Sequence, residues 1–578
     1  MSTIRIVGPE VLVNTTTAGE QLDPKITALS DGGYVVTWMS QDGSSWGIYA
    51  QRYTAAGVAT GGEVLVNTTT ANVQEYPAIT ALSDGGYIVT WSSFLQDGSG
   101  YGIYAQRYTA AGVATGGEVL VNTTTASDQQ NPAITALSDG GYVVTWMSWN
   151  QDGSEWDIYA QRYTAAGVAT GGEVLVNTIT VNSQQDPAIT ALSDGGYIVT
   201  WSSFLQDGSG YGIYAQRYTA AGVATGGEVL VNTTTADQQL NASITTLSDG
   251  GYVVTWMSAS LDESGWDVYA QRYTAAGVAT GGEVLVNTTT ANSQFYPAIT
   301  ALSDGGYVVT WMSWNQDGSG YGIYAQRYTA AGVATGGEVR VNTTTASNQQ
   351  DPAITALSDG GYVVTWMSYI QDGSVYGIYS RTIGPSGSFT EMTSAIEYVD
   401  GTSGADTYLV GADGLNAGDV VDGGAGADVL QLTTPGTFNL TDVTLIDVET
   451  IAGSAGMDVL TLNGALWDLR GLTFTGIETL RPTAAQTVVL IDSLTTALLI
   501  DASATSVTVD ATGLALTSAQ HSTLFANGID AVTIGDTQYF ANGSAVSAGS
   551  EVLVNTTTAS DQFYPAITAL SDGGYVVT

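Results

Sequence analysis

Cysteine is absent from this 578-residue chain, and histidine and lysine occur once each, as His521 and Lys25. The lack of cysteine excludes disulfides, thiolate metal sites and thiol nucleophiles. A single histidine excludes a histidine-rich metal centre, and a Ser-His-Asp triad would have to rest on that residue alone. Basic residues number 12 against 54 acidic ones, a net charge of −42. We therefore expect no nucleic-acid partner.

Long apolar runs are also missing. The most apolar stretch is interrupted by Asp492 and Asp501, so it falls short of the roughly 18 residues that a membrane helix needs. We expect no membrane insertion. The N-terminal segment MSTIRIVGPE lacks a basic region followed by an apolar core, so no cleavable secretory signal is visible.

Glycine is abundant, at 72 positions, and the chain contains an internal repeat. The block EVLVNTTTA recurs at a spacing of 53 residues once and 55 thereafter, starting at Glu10, Glu63, Glu118, Glu173, Glu228, Glu283 and Glu338. Each unit contains four short β-type runs: EVLVN, PAITALS, GYVVTWMS and GIYAQRYTA. Glycine-rich turns such as DGG separate them, and no helical periodicity is visible.

Seven four-stranded units without helices must stack their sheets on one another. The sequence therefore predicts an all-β protein whose seven four-stranded repeats form a β-propeller over residues 1–390, with an open linear array of β modules as the alternative. Residues 551–578 restart the unit and stop inside its third run. They indicate either a fragment, which we favour, or an eighth blade that borrows its outer strand from the N-terminus.

Residues 391–550 form a second, acidic segment with 19 acidic residues against 2 basic ones. Three nonapeptides, GTSGADTYL, GGAGADVLQ and GSAGMDVLT, resemble the GGxGxDxUx unit of RTX, or hemolysin-type, calcium-binding proteins. The resemblance implies a β-roll or β-solenoid, calcium as cofactor, and a bacterial exoprotein that uses type I secretion and is extracellular or on the cell surface. It also implies metal-site residues at Gly401, Gly404, Asp406, Gly423, Gly424, Gly426, Asp428, Gly453, Gly456 and Asp458. Alternatively, these are plain glycine turns of a solenoid.

An aspartate recurs in the loop between the third and fourth runs, at positions 42, 97, 152, 207, 262, 317 and 372. Its placement resembles the Asp-box of sialidase-type propellers. We expect this side chain to cap the amides of its own turn. Arginines also recur at one position of each unit, so no catalytic arginine cluster is indicated.

The connections between runs fall into two sets, one invariant and one variable. In a four-stranded blade the variable connections emerge on one face, so this face is a candidate binding surface. Its exposed aromatic residues suit a glycan or protein surface ligand: Phe94, Trp149, Phe204, Trp314 and Tyr369. Because the units are nearly identical, we expect a noncatalytic adhesion or matrix-association protein. The alternative is a glycosidase-like propeller enzyme that acts on extracellular polysaccharide.

Overall fold

The computed structural model describes residues 5–41, 45–55, 57–259, 265–358, 360–384, 389–392, 398–402, 406–411, 414–424, 426–484, 486–503, 505–547, 567–569 and 575–577. The chain divides into two compact units. The first holds the described parts of residues 1–392 together with 399–408 and 422–428. The second holds the described parts of 393–398, 409–421 and 429–578.

The first unit is a β-propeller of seven blades, each a four-stranded antiparallel sheet. The blades comprise, in order, Gln21–Ala28, Tyr34–Gln41, Trp46–Tyr53 and Ala59–Leu65; Gln74–Ala81, Tyr87–Phe94, Tyr101–Tyr108 and Ala114–Leu120; Gln129–Ala136, Tyr142–Trp149, Trp156–Tyr163 and Ala169–Leu175; Gln184–Ala191, Tyr197–Phe204, Tyr211–Tyr218 and Ala224–Leu230; Gln239–Thr246, Tyr252–Ala259, Trp266–Tyr273 and Ala279–Leu285; Gln294–Ala301, Tyr307–Trp314, Tyr321–Tyr328 and Ala334–Arg340; and Gln349–Ala356, Tyr362–Tyr369, Tyr376–Gly384 and Arg5–Leu12. The propeller prediction is confirmed, and the linear array is wrong.

The ring closes through the N-terminal strand. Arg5–Leu12 pairs with Tyr376–Gly384 and supplies the outer strand of blade 7. The alternative in which an eighth blade borrows the N-terminal strand is therefore wrong, because blade 7 uses that strand. The sequence also placed EVLVN first in each unit, whereas its EVL residues end the outer strand of the preceding blade.

The core lies between neighbouring blades. The tryptophan in the second strand of every blade is at most 1% exposed, as in Trp38 and Trp91. Trp91 of blade 2 packs with Val35 and Ile48 of blade 1 and with Val66, which follows the outer strand of blade 1. Both faces of each sheet are therefore buried, and single blades depend on their neighbours.

The first strands of adjacent blades contact one another around the propeller axis. Each begins at the face that carries the variable connections, since Gln74 pairs with Ser93 next to the end of the second strand. We call this end the variable face. The SDGG turns and the TAAGV turns lie at the opposite end of the blades.

The remaining part of the chain is strand-rich, with parallel pairing consistent with a β-roll. Its strands are Phe389–Met392, Tyr398–Thr402, Thr407–Val410, Val420–Gly424, Val429–Leu432, Gly436–Asn439, Thr444–Ile446, Thr450–Ala452, Asp458–Leu462, Leu466–Asp468, Thr473–Thr475, Thr479–Pro482, Thr487–Leu490, Val507–Asp510, Ala531–Ile534, Thr537–Phe540 and Ala545–Ser547, followed by the hairpin Ile567–Ala569 and Tyr575–Val577. Two short helices, Leu494–Leu498 and Ser518–Ala526, interrupt them. Among the described residues no helix is long and apolar enough to cross a membrane.

Candidate active site in the central cavity

The inner strands of the seven blades enclose a cavity of about 800 Å³ at the propeller axis. Its lining comes from the start of each first strand, where the sequence reads QxxP in six blades and QLNA in blade 5. These positions belong to the variable part of the repeat. The cavity is therefore lined by residues that differ from blade to blade.

A backbone irregularity places one such residue per blade. Pairing between the first and second strands shifts at this point in every blade, for example between Leu22 and Lys25. The residue at the bulge has a left-handed backbone, with φ between 49° and 58°, in all seven blades. We call these residues the axial ring: Asp23, Tyr76, Asn131, Asp186, Asn241, Tyr296 and Asp351.

Bulges of this kind turn a side chain away from the regular alternation of a strand. Aspartate and asparagine tolerate a left-handed backbone well, whereas Tyr76 and Tyr296 hold it at a steric cost. The axial ring therefore combines three carboxylates, two amides and two phenols in one cavity. Glu75, next to Tyr76, adds a fourth carboxylate, and Lys25 adds an amine.

The carboxylates of the cavity do not have equal surroundings. Burial raises the pKa of Asp351 to about 6, the negative charge of Asp23 adds to the rise, and Lys25 opposes it. Burial also raises the pKa of Asp186, against a hydrogen bond from Asn131 (Nδ2 to Oδ1, 3.4 Å). Asp23 forms an ion pair with Lys25, Oδ1 to Nζ 3.4 Å. Asp351 is therefore suited to carry a proton near neutral pH.

Glu75 links the cavity to the variable face. Burial raises the pKa of Glu75, a hydrogen bond from Tyr101 lowers it, and the charge of Asp23 raises it again. Tyr211 and Tyr376 make the equivalent contact in their blades, donating to Gln185 (3.3 Å) and Gln350 (2.9 Å). The cavity lining thus continues outward into aromatic side chains.

The five aromatic residues predicted to bind a ligand lie on this same face, at the end of the second strand. Each packs in a tilted or edge-on arrangement against the first residue of the third strand, with ring centroids 4.7–5.3 Å apart. Trp149 and Trp314 remain 39% and 42% exposed. Their exposure agrees with a ligand surface, and ligand binding itself stays a prediction.

The recurrent aspartates in the loop between the second and third strands have a structural role. Asp97 and Asp152 accept hydrogen bonds from the backbone N–H two residues later, at 3.1 and 2.9 Å. Asp207, Asp317 and Asp372 do the same. This confirms the capping interpretation, while Asp42 and Asp262 lie outside the described residues.

The predicted calcium aspartates Asp406, Asp428 and Asp458 are completely buried. Asp428 accepts a hydrogen bond from the backbone N–H of Asp406 (2.7 Å), and Asp458 accepts from the N–H groups of Gly436 (3.1 Å) and Ser454 (2.6 Å). In the part of the chain that is described, no three acidic or histidine side chains come together as a metal-binding group.

The carboxylates of Asp428 and Asp458 therefore accept hydrogen bonds from backbone amides. Gly453 packs against the backbone of Gly476, which leaves no room for a side chain. Gly423 and Gly424 end a strand, Gly426 and Gly456 follow in turns, Gly401 lies in a strand, and Gly404 lies outside the described residues. Calcium binding stays a prediction.

The axial ring is the site that the sequence missed. Its residues were read as part of a variable loop, because nothing in one sequence says that seven loops meet on one axis. A signal was nevertheless present: the residue before the PAIT run is only Asp, Asn or Tyr where that run is intact.

No protein-family model matches the chain, and no curated protein matches it. Solved structures do resemble it. The polysaccharide lyase Uly1 is 10% identical, covering 66% of this chain and 99% of its own, with a TM-score of 0.44. An α-L-arabinofuranosidase from Fusarium graminearum is 13% identical, covering 54% and 93%, with a TM-score of 0.37. An α-L-arabinanase from Penicillium chrysogenum is 14% identical, covering 66% and 98%, with a TM-score of 0.39.

At these identities the likeness extends to the fold alone. The expectation of a noncatalytic protein is corrected to this extent: the three solved structures named above are enzymes by their names, and the activity of this chain is a matter for the proposal below. The physical reason for the error is visible in the axial ring. Near-identity of the repeats favours a multivalent or structural surface over one asymmetric pocket, whereas one position that varies from blade to blade lines a single cavity.

Proposed function

We propose that the protein is a propeller enzyme that cleaves a polysaccharide in the central cavity. The observation that carries the proposal is the convergence of blade-specific carboxylates in a cavity of about 800 Å³, within an otherwise repetitive ring. A cavity of this size holds a few sugar residues, and ligand sites are typically concave with a few polar groups at fixed positions.

Glycosidic bond cleavage needs one carboxyl that donates a proton and one carboxylate that acts as base or nucleophile. Asp351 is suited to the acid role, because its pKa of about 6 leaves a protonated fraction near neutral pH. Asp23 lies in blade 1, next to the blade that carries Asp351. It is suited to the second role, since it is ion-paired with Lys25 of its own strand. Asp351 would protonate the leaving oxygen while Asp23 acts at the sugar carbon or on a water.

The two tyrosines of the axial ring would orient the sugar. Tyr296 lies within electrostatic range of Asp351, Asp186 and Asp23. Tyr76 lies within range of Glu75, Asp23 and Asp186. Aromatic rings offer an apolar surface for the C–H face of a sugar, and a phenol adds a polar group. Both would hold the chain against the carboxylates.

The test is a reducing-end assay of the full chain on a panel of neutral, basic and acidic polysaccharides. Asp351→Asn and Asp23→Asn should each lower kcat by about 10²-fold or more, the usual contribution of acid–base catalysis. Asp237→Asn removes the same charge from an exposed loop position and should leave kcat unchanged. If both axial variants keep full activity on a cleaved polymer, the active site is elsewhere and the proposal fails.

We also propose that the protein acts outside the cell, where polysaccharide is available. The cysteine-free, acidic composition and the RTX-like nonapeptides support this proposal. Detection of the protein in the medium or at the cell surface of the producing bacterium tests it. Retention of the whole pool inside the cell would contradict it.

A further inference from the structure

The charged groups that line the central cavity are strongly unbalanced. Four carboxylates, from Asp23, Glu75, Asp186 and Asp351, face one amine, that of Lys25. Lys25 is the only lysine of the chain, and it is already paired with Asp23. The cavity lining contains no arginine among the described residues.

The described arginines of the propeller are used elsewhere. Six of them pair with the aspartate of an SDGG turn, at the end opposite the variable face: Arg52, Arg107, Arg162, Arg217, Arg272 and Arg327. Arg381 donates to the backbone carbonyl of Val341, and Arg340 donates to that of Asn342 on an outer strand. No guanidinium is therefore placed to bind the carboxylate or sulfate group of an acidic sugar, which typically needs one.

One buried acceptor of the lining has no hydrogen-bond partner. The side-chain oxygen of Asn131 is buried and has no hydrogen-bond donor, although its amide nitrogen contacts Asp186. The carboxylate of Asp186 adds further acceptors beside it, and that of Asp351 adds others elsewhere in the lining. A buried acceptor left without a donor costs free energy, so the lining favours a ligand that is rich in donors.

We propose that the substrate is a cationic polysaccharide, a polymer of amino sugars whose amino groups are free. An ammonium group carries three N–H donors and one positive charge. It therefore supplies hydrogen-bond donors to the acceptors of the lining and a counter-charge to the carboxylates. Exposed aromatic side chains of the variable face, such as Trp149 and Trp314, would add cation–π attraction to the part of the polymer that lies outside the cavity. The inference rests on the proposed function and specifies its substrate class.

The test compares three oligosaccharides of equal length at about pH 6: a glucosamine hexamer, an N-acetylglucosamine hexamer and a galacturonate hexamer. Because a desolvated ammonium–carboxylate pair adds attraction that the neutral analogue lacks, the glucosamine hexamer should bind at least about tenfold more tightly than that analogue. The galacturonate hexamer should not bind. Calorimetric titration of the full chain measures the three Kd values, and added salt should weaken only the first.

The repeat supplies matched variants. Asp186→Asn should reduce the preference for the glucosamine hexamer about tenfold and leave binding of the neutral hexamer nearly unchanged. Asn241→Asp places in blade 5 the carboxylate that blades 1, 4 and 7 already carry, so it should increase the preference. Circular dichroism checks that both variants are folded.

Equal binding of the cationic and neutral hexamers, or binding of the acidic one, overturns the inference about substrate class. If Asp351→Asn and Asp23→Asn still abolish cleavage of a neutral polymer, the proposed function stands without this substrate class. If none of the hexamers binds and the axial variants leave all activities unchanged, both proposals fail.

Discussion

At the scale of single residues, small departures from the repeat create the chemistry of the propeller. Blades 1, 2, 4, 6 and 7 have glycine at the second position of the third strand, and in blades 2, 4, 6 and 7 the capping aspartate of the preceding loop lies close by. Blade 3 has Asp157 instead, completely buried next to Asp152 and bonded to Asn177 (Nδ2 to Oδ1, 2.6 Å). One substitution thus places a second carboxyl beside a first.

Asp157 should make stability depend on pH. Burial, followed by the hydrogen bond and charge of Asp152, raises the pKa of Asp157 to about 7. Because this value exceeds that of an unfolded aspartate, the stabilisation is present below about pH 4 and is lost as the pH rises through about 7. Asp157→Asn should therefore raise the free energy of unfolding by about 1 to 3 kcal/mol at pH 8.5 and change it little at pH 4. Denaturant titrations at the two pH values measure this, and an equal effect at both would contradict it.

Asp351 should set the alkaline limb of activity. Its pKa of about 6 results first from burial and then from the charge of Asp23. As a proton donor it is lost above that pH, so kcat/KM should fall about tenfold for each pH unit beyond the limb. Asp23→Asn removes the neighbouring charge and should shift the Asp351 pKa downward, which titration followed by NMR detects. A pKa that is unchanged by Asp23→Asn would show that the two carboxyls are not coupled.

At the scale of strands and loops, the same elements serve stability at one end of the blade and binding at the other. The paired aromatic residues on the variable face are half-exposed, whereas the tryptophan in the middle of the same strand is buried. Trp146 is buried and Trp149 is exposed, although both lie in the same strand. The alternation of side chains along a strand does not by itself explain this difference in exposure. A ring belongs to the core where the neighbouring blade covers it, as the blade 2 residues Ile88 and Ile103 cover Trp146.

Replacing both Trp149 and Trp314 with alanine should abolish glycan binding while the melting temperature changes little. Each ring makes an edge-on contact with only one aromatic partner, so its loss costs about 1 kcal/mol or less. Trp366→Ala is the contrasting control, because that ring is completely buried and its removal should cost about 3 to 5 kcal/mol. Unfolding of the double variant would show that the two exposed rings are core.

The buried aspartates of the acidic segment should stabilise it without metal. Asp458 accepts hydrogen bonds from the backbone of two different segments, at Gly436 and Ser454. Asp458→Ala should leave these buried amides unsatisfied and cost about 1 to 3 kcal/mol, in calcium and in chelator alike. Melting of the full chain in both conditions measures it. A loss confined to the calcium sample, or a melting temperature that calcium raises, would instead support the calcium site predicted from the nonapeptides.

At the scale of the whole molecule, closure of the ring joins residues that are far apart in sequence. The glutamate of every outer strand binds the threonines of the connection that enters its blade. Blade 7 repeats this contact across the chain, since Thr344 and Gln371 donate to Glu10 at 2.9 and 2.7 Å. The N-terminal strand thus completes a seventh equivalent clamp.

Deleting residues 1–12 should lower the melting temperature by several degrees, because it removes the outer strand of blade 7 and its clamp. Supplying a peptide of residues 1–14 in trans should restore part of the loss, by adding the missing strand to the exposed edge. Glu118→Ala, which breaks one clamp inside a continuous segment, should cost only about 1 to 2 kcal/mol. A deletion variant as stable as the full chain would show that closure contributes nothing.

The sequence by itself determined the period, the number of strands per unit and the β-propeller, because glycine turns and β-branched runs act locally. It also determined which connections vary and that they share a face. Only the tertiary structure decided that EVL closes the preceding blade, that Arg5–Leu12 completes blade 7, and that Asp23, Asp186 and Asp351 meet in one cavity. The last two outcomes depend on contacts between residues more than 100 positions apart, which ring closure creates and no local pattern encodes. The EVL residues instead pair with the strand just before them, so that outcome needed only the register of neighbouring strands.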